Sequence, residues 1–405
     1  MSEHFAMLPR RAAGTTLPAV LLLSVLLPVG PATAAGRPAA DPSPSASQAP
    51  LPVVVNELAD NAPCRPGSTV TARAEPWTQS LLGLDAAWAL TRGSGTVVAV
   101  VDTGVDGAAK ALSGRVTAVG DGGNDCVGHG TFVAGLAVGG PVEGLPFTGV
   151  APQARVLAVR GTDLRGHATA DSVASALQQA VAGGAKVAVV PFALASSSLA
   201  LDAALRSAAE HDVLVVAPAG PDSATNNGEG APPPRDYWPA AADGVLSVLD
   251  FGADGSRLTE APEPKHADLA APGDRVVGIG PRGDGVLTGS GPSLAVGLVG
   301  GAAALVRSYR PGLTAAQTAA RLTATAFPAD VPRLDVAAAV SATVAAPGAA
   351  PTSARPAVLP RPVSDGGARR RAVAITLGAT GVAVTVGAAA WAVPRGRRRG
   401  WRAAH

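Results

Sequence analysis

Along the middle of the chain, short unbroken apolar runs alternate with longer stretches in which apolar residues recur at helical spacing. Residues 96–102 run Thr-Val-Val-Ala-Val-Val-Asp, and Thr103-Gly104-Val105-Asp106 then turns the chain away. A run with no polar alternation suits a strand covered on both faces, as in a parallel sheet. The same pattern marks residues 155–159, 187–190 and 213–217, with shorter strands over 245–249 and 268–270. Helical spacing marks 170–181, stopped by Gly183-Gly184, and 199–210. Residues 293–310 read as a long, nearly uncharged helix and 314–325 as an amphipathic surface one. Gly128-His129-Gly130-Thr131 opens another apolar stretch, so an imidazole is expected on a tight turn at the mouth of a buried helix, with Thr131 as its N-cap. Strands alternating with helices predict an α/β fold, a doubly wound parallel sheet with helices on both faces. Ligands in such sheets sit at the carboxyl ends of strands, where Asp102 stands.

The pattern changes at both ends. An apolar run over residues 17–27 lies behind Arg10 and Arg11 and ahead of Ala32-Thr33-Ala34, which reads as a secretory signal peptide with its cleavage site. The arginine pair lacks the rest of a twin-arginine motif, so the general secretion route is expected. Residues 372–393 are uncharged and long enough to cross a bilayer. A buried core helix is the competing reading, and the arginines crowding both flanks speak against it. Those arginines are balanced, so orientation follows from the signal peptide: main domain outside, tail in the cytoplasm. Pro/Ala/Ser-rich stretches at 36–52 and 345–365 read as linkers. The expected organisation is signal peptide 1–34, N-terminal extension and linker 35–83, one large domain 84–340, linker 341–371, transmembrane helix 372–393 and Arg-rich tail 394–405.

Composition sharpens this. Forty-nine glycines, 47% hydrophobic residues and only 3% aromatics point to elements packed closely through small side chains. A net charge of +2 is too small to suggest nucleic acid as a partner. The two cysteines, Cys64 and Cys126, have no metal-like spacing and fall on the side of the membrane where disulfides persist. A bridge is favoured over two free buried thiols. It would tie the N-terminal extension to the turn before His129.

Three groups carry candidate chemistry. In Gly289-Ser290-Gly291-Pro292-Ser293-Leu294-Ala295, Ser293 stands at a loop-to-helix junction, where its hydroxyl is exposed and the first helical N–H groups face whatever it attacks. The combined hypothesis is acyl transfer. Ser293 is the nucleophile, His129 the proton carrier, and Asp102 the acid that holds the imidazole tautomer. Singly, each has a plainer reading: a structural acid, a satisfied turn histidine, an ordinary N-cap. His167, His211 and His266 lack flanking glycines and read as surface or structural residues. No metal or cofactor motif appears; Asp106, Asp121 and Asp125 read as solvated acids rather than calcium ligands.

The blocks around Asp102, His129 and Ser293, in that order, resemble the subtilisin-like serine proteases. Gly149-Val150-Ala151-Pro152 and Ala270-Ala271-Pro272-Gly273 extend the likeness, which runs from about residue 84 to 340. Signal peptide, short extension, membrane helix and Arg-rich tail are together similar to one branch, the mycosins. The resemblance implies a membrane-anchored extracytoplasmic serine endopeptidase acting on protein or peptide substrates beside type VII secretion machinery. Two departures stand out. The family's Gly-Thr-Ser is Gly291-Pro292-Ser293 here, and its Ala-Gly-Asn, whose asparagine donates to the oxyanion, is Ala219-Gly220-Pro221. Proline offers no such donor, and losing one costs on the order of a hundred- to a thousandfold in turnover. Asn226 and Asn227 are the downstream candidates to replace it. The resemblance therefore also admits a second role, that of a catalytically impaired homologue serving as a structural component of a secretion complex.

Overall fold

The computed structural model describes residues 50–223, 234–257, 261–283, 285–343 and 366–400. The expected signal peptide, most of both linkers, Asn226 and Asn227 lie outside these residues.

In chain order the elements are α1 (Trp77–Leu82), α2 (Leu84–Trp88), β1 (Val97–Asp102), β2 (Val116–Val119), α3 (His129–Val138), β3 (Arg155–Arg160), α4 (Ala170–Ala182), β4 (Val187–Val189), α5 (Leu199–Glu210), β5 (Leu214–Pro218), β6 (Leu246–Phe251), β7 (Leu269–Pro272), β8 (Val276–Ile279), β9 (Val286–Gly289), α6 (Pro292–Tyr309), α7 (Ala315–Ala324), α8 (Val336–Ser341) and α9 (Gly366–Arg398). Strands β1 to β7 form one seven-stranded sheet in the order β2-β3-β1-β4-β5-β6-β7. Every pairing in it is parallel. Strands β8 and β9 form a separate antiparallel hairpin.

Alternate residues of each strand serve opposite faces, which is why the runs contain no polar positions. Val98 and Val100 of β1, Val187 and Val189 of β4 and Leu214 and Val216 of β5 join one core with α3 and α6. Ala99, Val101, Ala188, Val190, Val215 and Ala217 join the other with α4 and α5. All ten residues of α3 and the first sixteen of α6 are buried, so these two helices form the centre of one layer. Small residues let them approach: a Cβ built on Gly301 would come within 2.6 Å of the Ala137 carbonyl oxygen.

Two of the long helices start on capping boxes, and α3 starts differently from expectation. Capping boxes open α4 (Thr169 with Ser172) and α7 (Thr314 with Gln317). The expected N-cap of α3, Thr131, is instead in its first turn, because the helix already begins at His129 with Gly128 as N-cap at φ +98°. The capping acceptor is Asp125, which takes the N–H groups of Gly128 and Thr131 at 2.7 and 2.9 Å. Asp125 is therefore buried and engaged, not a solvated acid.

The N-terminal extension is stitched to the domain. Thr288 of β9 accepts from Val54 N and donates its own N–H to the Pro52 carbonyl, and Leu58 N donates to the Arg165 carbonyl at 2.8 Å. The expected disulfide is present, joining Cys64 to Cys126 across 62 residues of sequence. Leu58, Cys126 and Val127 form a small apolar cluster beside it. Within α9, residues 370–398 are long and apolar enough to span a membrane, and none of their most apolar window is buried in the protein.

Candidate active site

Asp102 ends β1, His129 opens α3 and Ser293 lies in the first turn of α6. The parallel sheet brings the end of β1 beneath the N-terminus of α3, and the packing of α3 on α6 brings the two helix starts together. His129 Nδ1–H faces both Asp102 oxygens, at 2.9 and 3.0 Å. Its Nε2 lies 3.2 Å from Ser293 Oγ. Relative exposures of 0%, 2% and 2% for the acid, imidazole and alcohol leave little water to compete for these contacts. Asp102 is further held by Thr103 N at 2.6 Å. Thr103 Oγ1 accepts from Gly130 N and donates to Asp125, so one polar network orients both β1's end and α3's start.

Electrostatics at this centre are one-sided. Burial by itself disfavours a charged His129, but the charge and hydrogen bond of Asp102, with smaller contributions from the charges of Asp222 and Asp125, outweigh it and lift the imidazole pKa to about 9. Burial likewise pushes the Asp125 carboxyl up, against the stabilising bonds from Thr131 and Gly128.

Beside the triad opens a cleft of about 310 Å³ bordered by Asn56, Gly166, Phe192, Gly220, Pro221 and Asp222. Pro191, Phe192, Ala193 and Leu194, in the turn after β4, give this cleft an apolar wall. Pro221 stands at this cleft, as its place after β5 implies.

One functional group escaped the sequence reading. Asp222, the next residue after Pro221, accepts from Ser293 N at 2.9 Å through Oδ1 and from Ser293 Oγ at 2.7 Å through Oδ2. Asn56 Nδ2 donates to the same Oδ2 at 2.6 Å. A signal was available. An acid follows the carboxyl end of β5, one position beyond the place where the resemblance puts an asparagine. His167, His211 and His266 are exposed and away from the triad, with partners Asp163, the Ser207 carbonyl and Asp268.

Residues 93–360 match the subtilase family. The chain belongs to it. This subtilase is 33% identical to mycosin-3 of Mycobacterium tuberculosis over 306 residues, which cover 62% of this chain and 66% of that protein. Over 434 residues it is 31% identical to mycosin-1 of the same organism, covering 91% of this chain and 96% of the relative. Among solved structures, this subtilase resembles the MycP3 protease from the type VII (ESX-3) secretion system, with a TM-score of 0.60 and 29% identity over 75% of this chain and all of the other. It also resembles a chain of the intact ESX-5 inner membrane complex, with a TM-score of 0.61 and 26% identity over 85% and 96% of the two chains.

Proposed function

We propose that this subtilase is a membrane-anchored serine endopeptidase whose catalytic domain lies outside the cytoplasmic membrane and which hydrolyses peptide bonds with Asp102, His129 and Ser293. The observation that carries the reading is the continuous contact from Asp102 through His129 to Ser293, within hydrogen-bonding reach at both steps. In the proposed reaction neutral His129 takes the Ser293 proton as Oγ attacks the substrate carbonyl, and Asp102 stabilises the resulting imidazolium. Ser293 N, at the start of α6, faces the developing oxyanion. His129 then returns the proton to the leaving amine, and water releases the acyl group by the same route. The apolar span in α9 is the proposed anchor, and the likeness to mycosins and to a component of the ESX-5 inner membrane complex supports work beside type VII secretion machinery. The domain limits 84–340 and 372–393 form part of this proposal.

A specific observation favours a second reading, an impaired homologue with a structural role in a secretion complex. Pro221 has no side-chain donor, and a carboxylate oxygen sits on Ser293 N. A fluorophosphonate probe separates the two. Labelling of the full-length protein that disappears in Ser293→Ala supports the peptidase; folded protein that never labels, whatever the pH or variant, supports the scaffold.

A further inference from the structure

We propose that Asp222 is a gate on the oxyanion site of this subtilase, and that Asn56 of the N-terminal extension is the latch that holds it shut. The inference rests on Ser293 being the nucleophile. In acyl transfer the backbone N–H of the nucleophile serves the oxyanion, which must lie about 2.7–3.1 Å from that donor. Asp222 Oδ1 is 2.9 Å from Ser293 N, so a carboxylate oxygen stands where the substrate oxygen has to go. Its other oxygen takes the Ser293 hydroxyl proton at 2.7 Å, which turns that proton away from His129. With that proton donated to Asp222 and the Nδ1 proton to Asp102, the remaining contact at Ser293 Oγ, His129 Nε2 at 3.2 Å, is a bond donated by a ring protonated at both nitrogens. The raised pKa of His129 agrees with this arrangement. The resting site is thus an imidazolium between two carboxylates, with its nucleophile facing the wrong acceptor.

Local packing shows that the acid has a built seat. Gly291, at φ +142°, passes so close that a Cβ there would fall 2.1 Å from Asp222 Oδ1. Asn56 Nδ2 donates to Oδ2 at 2.6 Å across 166 residues of sequence. Asn56 is itself positioned by the bonds of Val54 to β9 and of Leu58 to Arg165. The charged groups facing Asp222 are His129 from α3 and, from β6, Asp250, which is paired with Arg257 at 3.2 Å. For a substrate carbonyl to enter, the 220–223 turn has to withdraw. Removing the carboxylate removes both the obstruction and the like charge beside the oxyanion.

The test is the second-order rate of fluorophosphonate labelling of full-length protein in detergent. Asp222→Ala removes the gate without adding a donor and is expected to label at least about tenfold faster than the parent. Asp222→Asn keeps a side-chain oxygen beside Ser293 N but removes the negative charge and, at the other position, the acceptor that holds the Ser293 hydroxyl proton, so it is expected to label faster than the parent and more slowly than Asp222→Ala. Asn56→Ala is expected to accelerate labelling in the parent and to have no effect in Asp222→Ala, a coupling that a merely structural role for Asn56 would not produce. If folded Asp222→Ala and Asp222→Asn label no faster than a parent whose labelling depends on Ser293, the gate is overturned and the triad stands. Labelling that survives Ser293→Ala in the Asp222→Asn background overturns the triad, and the gate with it.

Discussion

His129 concentrates the consequences of the site in one side chain. Its ring has a pKa of about 9 in the folded protein against 6.5 in its ordinary state, so folding gains from protonation. That gain is complete below pH 6.5 and is lost as pH rises through 9, with a size of up to about 3 kcal/mol. Denaturant titration of the full-length protein should therefore show stability falling between pH 6.5 and 9, and a flat profile across that window would contradict the proposed charge state. The types of the three site residues could be read from the sequence because glycines bracket His129, an apolar strand ends in Asp102 and a helix starts at Ser293. The place of Asp222 just after β5 is legible, but its contact with Ser293, 71 residues away, is not. The burial of Asp125 is hidden for a similar reason. A carboxylate four positions before a histidine carries no mark of burial until the helix that it caps is in place.

At the level of elements, α3 and α6 decide whether the triad closes. Their approach depends on Gly301, whose missing Cβ leaves room for the Ala137 carbonyl. Gly301→Ala has to push the two helices apart, and a loss of about 1–3 kcal/mol is expected, the usual cost of overpacking a tight core. A shift of the melting temperature by circular dichroism would measure it. The strands β1, β3, β4 and β5 and the helices α4 to α7 all fall within a residue or two of their predicted bounds, because burial on both faces and helical periodicity are written locally. Strand β2 has no counterpart in the sequence pattern. It is an edge strand whose middle residues, Thr117 and Ala118, are exposed, so its sequence carries no apolar run. The short helices α1, α2 and α8 span five or six residues each, too few for a period to show. The hairpin β8–β9 was hidden by its separation from the main alternation. Its role emerges only when Thr288 receives the N-terminal extension.

Across the whole molecule, the extension joins the first part of the chain to the rim of the cleft. The Cys64–Cys126 bond closes a loop of 62 residues between the N-terminal extension and the turn that precedes His129. In the chain-entropy account a crosslink of that span is worth about 4 kcal/mol. Reduction, or replacement of both cysteines by serine, should lower the unfolding free energy by about that amount. Alkylation should modify the two thiols together, and only after reduction; modification of the unreduced protein would disprove the bridge. The same reduction is expected to loosen the segment that holds Asn56.

What the sequence determined by itself is the alternation that builds the sheet, the order acid, imidazole and alcohol, and the apolar segment near the C-terminal end. These are properties of neighbouring residues: periodicity, turn chemistry and uninterrupted hydrophobicity. What only the tertiary structure decided is how those parts meet. It set the distances at the triad, the burial that shifts His129, and the convergence of Asn56, Asp222 and Ser293 on one point. Contacts between residues far apart in the chain are chosen by the packing of whole elements, and no local pattern encodes them.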